Sequence, residues 1–113
     1  MSYSLLDLME LIAAEDGDAV HLHDSESPVL EIRGQLHRIE GPPIEPGGAL
    51  ESFRAIAPQD ELREIKANGL ASFEFLHANA VFRVMAFREE ATIRVELRIV
   101  ARAKSGNSNA PAG

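Results

Sequence analysis

The chain of 113 residues carries 18 acidic and 11 basic side chains, and a net charge of −7 gives no overall attraction for nucleic acid. Its 45% hydrophobic and 26% charged residues fit one ordinary globular domain with a single modest core. With no cysteine there is no disulfide or thiolate chemistry, and no apolar run nears the roughly 18 residues of a membrane span. The opening stretch lacks a basic segment and holds Asp7 and Glu10 among its apolar residues, unlike a signal peptide. The sequence therefore reads as soluble and cytoplasmic, with no direct membrane insertion.

Ser4 is a good helix N-cap, and Leu5, Leu8, Met9, Leu11 and Ile12 follow at spacings of three and four. This pattern predicts a helix from Leu5 to about Glu15, ended by Gly17. Ala19 to His23 then alternates Val20 and Leu22 against Ala19, His21 and His23, a strand pattern. Past Pro28, Val29 to Arg33 places Leu30 and Ile32 on one face. Gly34-Gln35 has the glycine first, as a type II′ hairpin turn prefers, and Leu36 to Ile39 returns as the partner strand.

GPPIEPGG, from Gly41 to Gly48, is the one internal linker-like stretch and is too short to separate domains. Two short helical patterns follow, Ala49 to about Ile56 and one opened by Pro58 and stopped by Gly69. Three strands close the order: Ser72 to Leu76, Val81 to Arg88 and Thr92 to Val100. In the last, Ile93, Val95, Leu97 and Ile99 share one face while Arg94, Glu96 and Arg98 share the other. Residues 1–103 read as one domain, and 104–113, small and polar, as a disordered tail.

The order α-β-β-β-α-α-β-β-β has no long helix between consecutive strands. The expected class is α+β, a mostly antiparallel sheet of about six strands with helices on one face.

Chemistry is harder to find. A P-loop needs G-x-x-x-x-G-K-[ST], yet the only lysines are Lys66 and Lys104 and neither follows a suitable glycine. ATP hydrolysis by these residues has no basis, and no cofactor is expected. His21 and His23 point to one side of a strand and are the best metal candidates, with His37, His77 or Asp24 as further ligands if the fold gathers them. The alternative is a solvated pair at the edge of the core. Arg83, Arg94 and Arg98 form a basic stripe if the two terminal strands pair, and the arginine fork suits phosphate or carboxylate. Set against that is an ordinary solvated sheet face with Glu96 interleaved.

The residues line up with a known family. LLDLM, then DAVHLH, a proline and LEIRGQL resemble the helix, S-D-[IL]-H-[IL] strand, proline and I-R-x-D-G-x-L hairpin of PilT-type ATPases, the hexameric motors of type IV pili and type II secretion. ASFEF, VFRVMAF and LRIV resemble that family's later D-F-S, R-F-R-V-N-x-F and L-R-x-I-P segments. The resemblance runs from about Leu5 to Val100 and is to the family's N-terminal domain.

It implies a PAS-like fold packed against a neighbouring subunit's RecA-like ATPase domain, with strand arginines reaching towards nucleotide. By match those are Arg83 and Arg98, while Arg33 and His21 fall on positions that shape the fold. Val81, Met85 and Ala101 depart from the family's arginine, asparagine and proline, and the Walker motifs are absent. The expectation is a free-standing, non-catalytic module that binds or regulates a pilus or secretion ATPase or related machinery protein. Self-association is also expected, with the long final strand as an edge for pairing. The rival reading is a PAS-like sensory domain holding a small ligand among Phe73, Phe75, Phe82 and Phe87.

Overall fold

In the computed structural model, residues 3–102 are described, so the tail expected at 104–113 lies outside the described residues. Helix α1 spans Leu5–Ala14, and the Ser4 hydroxyl accepts the Asp7 amide at 3.3 Å as its cap. The helix closes one residue before the expected glycine. Asp16 takes the left-handed conformation (φ 56°), and the Gly17 amide reaches back to the Ile12 carbonyl at 2.8 Å. An acidic side chain tolerates that conformation, and Gly17 is needed for closeness instead. A Cβ there would lie 2.9 Å from Leu30 Cδ1.

Six strands follow the expected order: β1 (Ala19–His23), β2 (Val29–Ile32), β3 (Gln35–Arg38), and, after helices α2 (Gly48–Arg54) and α3 (Gln59–Asn68), β4 (Leu70–His77), β5 (Ala80–Glu89) and β6 (Thr92–Arg102). They form one antiparallel sheet in the order β3-β2-β1-β6-β5-β4. The α+β class and the element order are those read from the sequence.

Two expectations are corrected by this topology. The β2–β3 turn is Arg33-Gly34, both at positive φ (49° and 80°), with Ile32 paired to Gln35. Two positive φ values mark a type I′ turn, whose twist matches the strands, in place of the expected type II′ turn at Gly34-Gln35. Moving the turn by one residue slides the pairing by two, so each side chain keeps its face. The final strand is also not an edge. β6 lies between β1 and β5, and the exposed edges are β3 and β4.

All three helices cover one face. Val20 and Leu22 of β1, Phe82, Val84 and Ala86 of β5, and Val95 and Leu97 of β6 are fully buried against Leu5, Met9, Ile12 and Phe53. The linker-like stretch contributes Ile44, which is buried and exchanges backbone hydrogen bonds with Ser25 and Glu26. Asp24 then caps α2 from outside its own sequence neighbourhood, accepting from the amides of Gly47 at 2.8 Å and Ala49 at 3.1 Å. A carboxylate at a helix N-terminus satisfies orphan donors and meets the favourable end of the dipole.

Candidate protein-interaction face

Strand alternation sends every second residue of the sheet to the face without helices. β1 contributes His21 and His23, β6 contributes Arg94, Glu96 and Arg98, and β5 contributes Arg83, Met85 and Phe87. The β5–β6 hairpin sets Arg83 and Arg98 directly opposite one another, with Arg94 opposite Phe87. The three arginines expected from the sequence therefore share a face, and two of them meet across strands.

Like charges at facing positions repel, and the surrounding acids answer that repulsion. Arg83 pairs with Glu74 of β4 at 3.5 Å, and Arg94 with Glu89 at 3.1 Å. Arg98 donates from Nε to Glu96 at 2.9 Å and from Nη2 to Glu31 of β2 at 3.3 Å. The same Glu31 Oε1 bonds His21 Nε2 at 3.0 Å, and His21 Nδ1 lies 3.7 Å from Glu96. Glu31, His21, Glu96 and Arg98 thus close a ring over three strands.

Ala19 makes the ring possible. It is the register partner of Glu31 on one side and of Arg98 on the other. It is fully buried, and its short side chain separates the two residues, whose guanidinium and carboxylate meet at 3.3 Å. Sequence reading missed Glu31 and Ala19 because their roles depend on β1 pairing with the last strand.

The ring shifts its members. The hydrogen bond from His21 holds the Glu31 carboxyl below its usual value, against the opposing effect of burial, with Arg98 adding to the lowering. Arg98 is held still more firmly protonated by its bond to Glu96.

The histidine pair does not converge on one point. His21 turns to Glu31 and Glu96, whereas His23 lies near Glu26 at 3.5 Å and Glu89 at 3.8 Å. His23 Nδ1 is shielded from solvent and has no hydrogen-bond partner among the described residues. His77 lies on the helix-covered face against Glu10 of α1 at 2.9 Å, His37 sits on β3, and Asp24 is committed to α2. No group of three or more ligands arranged for a metal ion occurs among the described residues.

Apolar surface accompanies the charge. Leu36 on β3 is 67% exposed and Leu76 on β4 is 72% exposed, one at each edge of this face. A cleft of about 310 Å³ on the Leu36 side of the face is lined by His21, His23, Glu26, Leu36 and Arg94. The phenylalanines proposed for a ligand pocket are used otherwise. Phe82 is fully buried, and Phe73 packs against Phe53 and Phe75 at ring separations of 5.8 and 6.3 Å. Phe87 lies on the opposite side of the sheet from them.

No family model matches this chain, and no curated protein matches it. Solved structures do. The pilus retraction motor PilT with bound ADP superposes with a TM-score of 0.76 at 17% identity, over 86% of this chain and 29% of that one. The ATPase DotB of Legionella pneumophila gives a TM-score of 0.70 at 15% identity over 99% of this chain and 34% of its own. DotB of Yersinia pseudotuberculosis gives 0.66 at 12% identity over 88% and 31%.

The chain therefore has the fold of a domain found in PilT and DotB, and it spans about a third of their length. This bears out the sequence resemblance to the N-terminal domain of PilT-type ATPases at the level of fold. Among the described residues no helix is long and apolar enough to cross a membrane.

Proposed function

We propose that this chain is a non-catalytic interaction module that binds or regulates a pilus or secretion ATPase, or its assembly. The observation that carries the reading is the superposition of nearly the whole described chain on one domain of PilT and of DotB. The sequence carries no phosphate-binding loop of the P-loop type, so the chemistry of such a machine is assigned to the partner.

The helix-free face is the surface assigned to that partner. It combines exposed leucines at its edges with arginines whose ion pairs are all at least partly solvated, and such pairs are exchanged for intermolecular ones at little cost. Arg83 and Arg98 at the centre, with Arg94 beside them, are the residues set to meet phosphate or carboxylate groups of the partner. Paired acids leave the face nearly neutral, so contact depends on exchange of partners more than on long-range attraction.

Light scattering on a sizing column tests this directly, with the chain alone and then with a PilT-type ATPase from the same genome, in the presence and absence of ATP. The expected result is a stable complex that an Arg83→Glu, Arg98→Glu double substitution abolishes. Failure to bind any such ATPase overturns the proposal. A complex unaffected by the double substitution moves the contact to another face.

A further inference from the structure

The helix-covered side holds a second feature, distant in kind from the charged face. Helices α2 and α3 do not close fully over the ends of β5 and β6, and a cavity of about 440 Å³ opens between them. Its floor is aliphatic, made by Leu50 of α2, Leu62 and Ile65 of α3, and Ile93 of β6. Its polar lining is almost wholly cationic: Arg54, Arg63, Lys66 and Arg88.

That concentration is at odds with the rest of the molecule. Four of the 11 basic residues line one cavity in a chain with 18 acidic ones, and no carboxylate shares the lining. The acids that accompany these cations stand outside it. Arg54 lies 3.9 Å from Glu51 and Arg63 contacts Asp60, each one turn back on its own helix and solvent-exposed. Exposed pairs of this kind contribute little and are readily exchanged. Lys66 forms no ion pair among the described residues. Arg88 is positioned from the floor, donating one Nη2 hydrogen bond to the Ile65 carbonyl at 2.9 Å. Its remaining donors are left for another acceptor.

The chemistry of the lining selects a ligand. A volume of a few hundred cubic ångströms with an apolar floor and a few placed polar groups is the usual form of a small-molecule site. No aromatic side chain lines it, so a nucleobase has no platform on which to stack. Arginine forks favour the planar or tetrahedral oxygens of carboxylate and phosphate. We infer that this cavity binds an aliphatic anion, a short alkyl or acyl chain ending in a phosphate or carboxylate. The chain lies on Leu62, Ile65 and Ile93, and the head group sits among Arg63, Lys66 and Arg88. This site differs from the pocket expected among the phenylalanines, and it does not depend on the motor-binding reading.

Heteronuclear NMR titration of the chain with octyl phosphate, with inorganic phosphate as the control, tests the inference. Saturable shifts are expected in α3 and at the β5–β6 turn, weakened by high salt and by about tenfold in Lys66→Glu. Arg63→Glu should act in the same direction. Both residues are exposed, so the variants' own spectra report an intact fold.

Inorganic phosphate alone should bind at least about tenfold more weakly, because it forfeits the apolar floor. Equal binding of phosphate and octyl phosphate overturns the site, as do shifts untouched by both substitutions or no saturable shift at all. Vesicles of anionic phospholipid distinguish the source. Lys66-dependent binding to vesicles as well as to octyl phosphate supports a lipid head group, and binding only to the soluble compound supports a free metabolite.

Discussion

The two faces of the sheet are made by the same strands and obey opposite rules. On β5, Phe82, Val84 and Ala86 turn inward and are fully buried, while Arg83, Met85 and Phe87 turn outward between them. The inner face is decided by volume at its centre, where Phe82, Val84, Ala86, Val95 and Leu97 are fully buried, and its charged groups, Arg88 and the His77–Glu10 pair, stand at its ends. The outer face is decided by pairing, since its arginines and acids hold one another in place with water still at hand. Substitutions should therefore separate the faces: inner changes cost stability, and outer changes cost association.

The largest loss is expected for Phe82→Ala, which empties a fully buried aromatic site at the centre of the core. Thermal and urea unfolding should show destabilisation of about 3–5 kcal/mol. Asp24→Ala comes next, leaving the amides of Gly47 and Ala49 without their buried acceptor. A loss of about 2 kcal/mol is expected, with helix α2 the first element to exchange amide hydrogens. Asp24→Asn should recover part of it, as asparagine also caps.

Ala19→Leu carries the comparison to the buried position beneath the charged ring. The larger side chain competes with the Arg98–Glu31 contact and should cost about 1–2 kcal/mol by overpacking. It should also weaken ATPase binding by disordering Arg98, a double effect that a core substitution would not mimic at equal stability.

A smaller effect concerns pH. The Glu31 carboxyl titrates below its unfolded value because His21 and Arg98 favour the charged form. Its contribution is then fully present above the unfolded value of about 4.3 and is lost as pH falls through the lower folded value. Glu31→Gln should flatten the acid limb of stability measured by urea unfolding below about pH 4.3. An unchanged limb would mean that other carboxylates govern it. The smallest stability effect is expected for Leu76→Ser, a residue 72% exposed on the outer face. Its unfolding should change by no more than about 0.5 kcal/mol, while binding to the ATPase weakens.

Much of the fold was legible because its signals are local. Ser4 and the apolar spacing of α1, the alternation in β1 and β6, and the stop at Gly69, which adopts φ 75°, each act within a few residues. The placement of Arg83 opposite Arg98 followed from one hairpin. The β2–β3 turn was displaced by a residue because glycine suits both primed turns, and only the settled pairing chose between them.

Composition excluded thiol chemistry and offered no P-loop, and alternation alone divided each strand into an inner and an outer set. The sequence could not reveal that β6 is central, because β1 and β6 lie at opposite ends of the chain and no periodicity encodes their pairing. That pairing brings Glu31 and His21 to Glu96 and Arg98. Likewise Asp24 reaches a helix 23 residues away, and α2, α3 and the last hairpin gather four cations around one cavity. Local steric and capping preferences write the elements into the chain. Contacts between distant residues arise only when the core has fixed which strands lie side by side.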